Sequence, residues 1–279
     1  MIHVTYRHGK ADMIIKTPNE IRKMRDAGLI LWDVHQSAKR VVAEGVTTRE
    51  IDKAVEERIS ALGAFPLFKG VPGKVPFPAC TCISVNEEVV HGIPSDRKIR
   101  SGDIVSIDIG VKYDGFCADS AVTIPVGEVP DAKMALLGAT EDALRMAISM
   151  LAPGRNWNEI SNMMQKKIES AGYSIVRELV GHGIGREMWE SPQIPNYYVR
   201  KERSFIIKKG ATLAIEPMVN MGKKEIKFER DHWTISTKDG KPSAHFEHTV
   251  AVTESGPFVL TCGPDGEGWA MPENAIFRF

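Results

Sequence analysis

Twice along this chain a pair of helical segments is followed by segments with strand patterning, and that order restricts the folds available. Thr17-Pro18-Asn19-Glu20 reads as an N-cap, a proline at the first helical position and a capping-box glutamate. The pattern predicts a helix running toward Ala43, with Gly45 as its stop. Thr47-Thr48-Arg49-Glu50 repeats the capping signal, and Gly63 closes the second helix. A second helical pair is expected near 131–151 and 157–171, separated by Pro153-Gly154 and closed by Gly172. Strands are expected near 80–85, 104–111 and 116–124 after the first pair, and near 173–180, 211–216 and 244–253 after the second. The stretch 64–79, rich in Pro, Gly and Phe, reads as a loop able to offer apolar side chains to a pocket. Together these imply an α+β fold of two similarly built halves, with helices packed on a mostly antiparallel sheet.

Composition excludes several classes of function. Lys+Arg and Asp+Glu both number 36, so the net charge is zero and no broad nucleic-acid or polybasic membrane surface is expected. No apolar run approaches the roughly 18 residues that span a bilayer, and the opening MIHVTYRHGKADM is too polar for a signal peptide. Cys80, Cys82, Cys117 and Cys262 form no C-x-x-C pair and are expected as buried free thiols. A cytoplasmic location is the expectation.

The chemistry is carried by charged side chains inside strand-like segments. In Ile104-Val105-Ser106-Ile107-Asp108-Ile109-Gly110, Val105, Ile107 and Ile109 share one face, while Ser106 and Asp108 share the other. Asp114-Gly115 supplies a two-residue hairpin turn, which pairs 110 with 119 and 108 with 121. Asp108 and Asp119 then become diagonal neighbours on one face, roughly 7–8 Å apart at the backbone. From the hairpin alone, two solvent-facing aspartates would serve equally well. His182 stands among three glycines, Gly181, Gly183 and Gly185, where a loop could bring the imidazole close to a ligand. Glu216 and Glu247 each end or begin an apolar alternating strand, against the propensity of glutamate. Singly, each reads as a strand-edge charge. Four carboxylates and one imidazole taken together match two divalent cations sharing a site for metal-assisted hydrolysis.

The segments Asn86-Glu87-Glu88-Val89-Val90-His91-Gly92-Ile93-Pro94, Ser106 to Ile109, Asp114 to Asp119, Gly181 to Arg186, Ile215 to Met218 and Phe246 to Thr249 resemble the type I methionine aminopeptidases. The resemblance runs from about Ile14 to Gly256. It implies a pita-bread fold with pseudo-two-fold related halves, a catalytic domain over 14–262, an N-terminal extension 1–13 and a tail 263–279. The large insertion of the type II branch is missing between His182 and Glu247, and the length matches the compact bacterial form. By the resemblance, Asp108 chelates one ion, Asp119 and Glu247 bridge two, and His182 with Glu216 complete the second. The ions would be Co, Mn, Fe or Zn, between which donor softness does not choose. Glu216 would carry the proton from an activated water to the leaving amine, and His91 would support the tetrahedral intermediate. Phe77, Cys82, Met188 and Trp233 would surround the methionine side chain. The substrate would be a nascent polypeptide near the ribosome, and the protein a monomer.

One position departs from the family. A second histidine normally lies seven residues beyond the metal histidine, and here that residue is Trp189, preceded by Met188. An indole N–H can donate one hydrogen bond but cannot carry a proton, so altered turnover is expected. The rim Val71-Pro72-Gly73-Lys74-Val75-Pro76 is also richer in proline than usual. Two other readings remain: a relative of X-Pro aminopeptidase and prolidase, or a pita-bread binding protein with weakened catalysis.

Overall fold

The computed structural model describes residues 12–201 and 204–268. Most of the expected N-terminal extension (1–11) and of the expected tail (269–279) lies outside them. Helix α1 spans Pro18–Val41 and α2 spans Thr48–Ala61, and both carry the anticipated capping box, with the Thr17 and Thr47 hydroxyls accepting from Glu20 N and Glu50 N. Helix α3 covers Asp131–Ser149 and α4 covers Trp157–Ser170. Helices α1 and α3 each stop two residues short of the expected ends, a difference typical of fraying termini.

Nine strands form one antiparallel sheet. Its main path runs Phe65–Pro66, Ile104–Tyr113, Phe116–Pro125, Glu247–Thr253, Thr212–Ile215, Gly181–Gly183 and Glu190–Ile194. Thr81–Val85 adds to Ile104–Tyr113, and Gly256–Val259 adds to Glu247–Thr253. Two three-stranded sheets flank it, one centred on Met218–Asn220 and one on Ile235–Thr237. Leu31, Val34, Ile51, Val55 and Ile59 of α1 and α2 pack on Ile83, Val105, Ile107 and Ile109. Leu136, Leu144, Trp157, Ile160 and Ile168 of α3 and α4 pack on Leu213, Ile215 and Val250. Each helix pair thus covers one half of the curved sheet. Full burial of such aliphatic side chains is worth about 1.5–3 kcal/mol each, so the two helical layers carry much of the stability.

The glycines around His182 require a correction. They are not a loop: Gly181–Gly183 is a strand between Thr212–Ile215 and Glu190–Ile194. A Cβ on Gly181 would lie 2.2 Å from Ala214 O, and one on Gly183 would lie 2.5 Å from Ser191 O. Glycine here lets neighbouring backbones close on the strand. The strand expected over 173–180 shrinks to Ser174–Ile175, and that near 244–253 is two strands, Ser243–His245 and Glu247–Thr253, in different sheets. The single residue Phe246 separates them.

Candidate metal centre

The hairpin register is the one the Asp-Gly turn predicts: Asp108 opposes Ala121 and Gly110 opposes Asp119. Asp114 and Gly115 both have positive φ, 44° and 81°, as a type I′ turn needs. Ala121 also opposes Glu247 on its other side, and Cys82 opposes Asp108. One row across four strands therefore reads Cys82, Asp108, Ala121, Glu247, all on the same face. The small Ala121 leaves space between the two carboxylates. Gly110 does the same for Asp119, since a Cβ there would sit 3.4 Å from Asp119 Oδ1 and 3.1 Å from the Phe68 ring. Thr249 fastens the next row, accepting from Asp119 N at 3.0 Å and donating to Asp119 O at 2.8 Å.

His182 reaches the row from across the sheet. Its Nδ1 lies 2.9 Å from Gly183 O, which makes Nδ1 the protonated nitrogen and leaves the Nε2 lone pair facing the carboxylates. Nε2 is 3.7 Å from Asp119 Oδ2 and 3.8 Å from Glu216 Oε1. Donor atoms of Asp119, His182 and Glu247, all buried, lie within 4.8 Å of one another. Asp108 and Glu216 line the same cavity, which measures about 270 Å³.

The electrostatics of this group are uncompensated within the chain. Burial pushes the Asp108 carboxyl up to about 7. Burial, reinforced by the neighbouring carboxylates, pushes Asp119, Glu216 and Glu247 well above the usual range. Burial also lowers His182 to about 4, so it is a neutral donor at physiological pH. Asp108 Oδ1, Asp119 Oδ1 and Glu247 Oε1 are buried without a hydrogen-bond partner. Orphaned buried carboxylate oxygens are costly. A donor set of four carboxylates and one imidazole fits divalent cations, whose positive charge removes that cost.

The rest of the cavity is apolar. Phe77, Cys82, Met188 and Trp233 belong to one buried cluster with Phe68 and Ala79. Phe77 and Trp233 meet edge to face with ring centroids 5.1 Å apart. Trp233 Nε1 donates to Val75 O at 2.8 Å, so the proline-rich rim uses its polar edge. Burial drives the Cys82 thiol up, keeping it neutral. His91, half-buried with φ 59°, lines the cavity with Nδ1 unpartnered. Backbone strain of that kind in a bulky residue concentrates at functional sites. Trp189, 37% exposed, stands at the mouth with its ring centroid 6.5 Å from that of His182.

The pattern describing metallopeptidase family M24 matches residues 22–254. The chain belongs to metallopeptidase family M24. It is 45% identical over 249 residues to methionine aminopeptidase 1 of Bacillus subtilis (strain 168), covering 89% of this chain and 99% of that one. The crystal structure of methionine aminopeptidase from Thermotoga maritima superposes with a TM-score of 0.85 at 42% identity, over 90% of this chain and 99% of the other. Prolidase from Pyrococcus furiosus matches with a TM-score of 0.72 at 27% identity, over 89% of this chain but 65% of its own. The methionine aminopeptidases, hydrolases that use divalent metals on a pita-bread fold, are thus the branch that this M24 member joins.

Two site residues escape the motif reading. His245, on the same face of its strand as the metal cluster, brings Nε2 to 3.8 Å from Glu216 Oε2 and has no hydrogen-bond partner there. Phe228, half exposed, lines the cavity lip from a short strand that its sequence does not announce.

Proposed function

We propose that this M24 metallopeptidase removes the initiator methionine from nascent polypeptides, with residues 14–262 as the catalytic unit. The observation that carries the reading is the junction, within one cavity, of a carboxylate–imidazole cluster and an apolar cleft. Asp108, Asp119, His182, Glu216 and Glu247 would hold two divalent ions. When bound, such ions polarise the scissile carbonyl and lower the pKa of the attacking water.

The residues of the chain divide the remaining work. Phe77, Cys82, Met188 and Trp233 enclose the methionine side chain, and soft, uncharged walls suit a thioether. The nearby carboxylates favour a protonated or metal-directed amine at the closed end. Glu216 takes a proton on a carboxylate oxygen and returns it to the leaving amine. His182 Nε2 and His245 Nε2 each lie 3.8 Å from that carboxylate, on opposite oxygens. His91, lowered to about 4 by burial, is a neutral imidazole that can hydrogen-bond the tetrahedral intermediate without competing for the metal charge. No helix of the described residues is long and apolar enough to cross a membrane. On this proposal the protein is placed in the cytoplasm, as a monomer working on chains as they leave the ribosome.

Hydrolysis of Met-Ala-Ser, compared with Xaa-Pro peptides under added Mn²⁺ or Co²⁺, tests the reading. Release of methionine from Met-Ala-Ser with little cleavage of Xaa-Pro is expected. Preferential cleavage of Xaa-Pro would transfer the chain to the prolidase reading, and failure on every peptide despite bound metal would favour a binding protein.

A further inference from the structure

The cavity mouth is asymmetric. Trp189 forms part of the wall of the 270 Å³ cavity and also of a neighbouring groove of about 480 Å³. Both volumes are close to or within the range typical of ligand sites. Ile14 and Ile15, 52% and 45% exposed, line the groove with the indole and Phe116, while Lys16, Glu20, Arg186, Glu187 and Glu190 supply charged walls around them. Three large apolar residues, 37–52% exposed, thus share one groove, the kind of surface that marks binding sites when it is contiguous.

The groove is also held rigid. Lys16 N donates to Gly210 O at 2.8 Å, and Lys16 Nζ pairs with Glu190 in a buried ion pair while donating to Ile14 O at 3.1 Å. Glu190 Oε1 in turn accepts from Arg186 N at 2.9 Å. A Cβ on Gly185 would lie 2.4 Å from Lys16 Cε, so the absence of a side chain there lets the lysine through. The strap 14–16 is thereby tied to the loop that carries Met188 and Trp189. Arg186 lies over the Phe116 ring, 4.5 Å from its centroid, and pairs with Glu20 at 3.1 Å.

We infer that the groove between the Ile14-Ile15 strap and Trp189 is a binding subsite for the substrate polypeptide beyond its second residue, selecting apolar side chains there. This rests on the aminopeptidase reading. An exopeptidase that holds the first residue at the closed end must let everything after the scissile bond leave past the rim. On this side the rim continues into a preformed apolar groove through a shared residue. The opposite lip offers Phe228 as its exposed large apolar residue. The groove's ready-made walls reduce the ordering cost of binding an extended chain.

The experiment compares KM for Met-Ala-Ser-Leu-Leu with KM for Met-Ala-Ser in the metal-loaded full chain and in its Ile14→Ser/Ile15→Ser double variant. Methionine release from Met-Ala-Ser by the unmodified protein is read first, because it tests the activity independently of the groove. The unmodified protein is expected to favour the pentapeptide by about ten- to hundredfold in KM, the size expected from covering two half-exposed isoleucines. The double variant should bring the ratio close to one, and Ile14→Ser alone should take it part of the way. An unchanged ratio in the double variant would overturn the inference. So would a collapse produced by Phe228→Ser instead, which would send the chain out over the other lip.

Discussion

Asp108→Asn in the metal-free protein should be stabilising at pH 8. Asp108 is raised by burial from 3.8 to about 7 and leaves Oδ1 unpartnered. The sign follows from linkage. A carboxyl whose folded pKa lies above its unfolded value binds protons more tightly when folded, so its penalty grows as pH rises from 3.8 and is complete above 7. At about 1.4 kcal/mol per pKa unit, the ionised native state carries about 4 kcal/mol of penalty at pH 8. An amide of the same shape avoids the ionisation but still needs hydrogen-bond partners, so a net gain of about 2–4 kcal/mol is expected. For a domain of this size that corresponds to a rise in midpoint on the order of 10 °C. The choice of pH matters because His35, His91 and His182, lowered to about 4, and His245 and His248, lowered to about 3, are neutral in both states at pH 8. Below 6.5 the unfolded histidines take up protons that the folded ones refuse, and stability is lost in both proteins alike. Urea unfolding with a chelator, then with Mn²⁺, reads the effect. With metal the order should reverse, since the wild-type carboxylate gains a cation and the amide does not. A metal-free Asp108→Asn protein less stable than wild type by more than about 1 kcal/mol at pH 8 would refute the electrostatic reasoning.

Three further perturbations have defined outcomes. Trp189→His should raise turnover of Met-Ala-Ser by up to about 10²-fold, the order of one restored transition-state donor, and unchanged kcat would show that the indole does not limit catalysis. Gly28→Ala should destabilise the protein by about 1–3 kcal/mol in denaturant unfolding, because the added Cβ would stand 1.9 Å from Leu260 O. This is opposite to the gain of about 1 kcal/mol that helix propensity alone gives for the same change. Glu190→Ala leaves Lys16 buried without its partner and should cost about 3–5 kcal/mol in urea unfolding, whereas Lys16→Met with Glu190→Gln should recover much of it.

The parts of the fold legible in the chain were those with local causes. Two capping boxes and the Asp-Gly turn are short-range devices, and each appears where its residues predict it. The turn also set the register that brings Asp108 and Asp119 to one face. What lay beyond reading depends on distant neighbours. The glycines flanking His182 look like a loop until Ala214 and Ser191 are seen pressing on them. Gly28 looks like a weak point of α1 until Leu260 and the Arg25 bonds to Leu260 O, Cys262 O and Gly263 O reveal the chain crossing beneath it. Strands of three residues, such as Ile226–Phe228, are too short for periodicity to register. At the site, the role of Ala121 as the space between Asp108 and Glu247 exists only across three strands, and the approach of His245 to Glu216 exists only between two sheets.

On the proposed function, Asp108, Asp119, His182, Glu216 and Glu247 hold two divalent ions that the activity requires. Titrating metal-free protein with Co²⁺, while counting bound ions by elemental analysis and following methionine release from Met-Ala-Ser, tests it most directly. Saturation at two ions per chain is expected in the wild type, with activity that appears as the ions bind and loss of both in Asp119→Ala. Methionine release from rigorously metal-free protein, or full two-ion binding retained by Asp119→Ala, would contradict it.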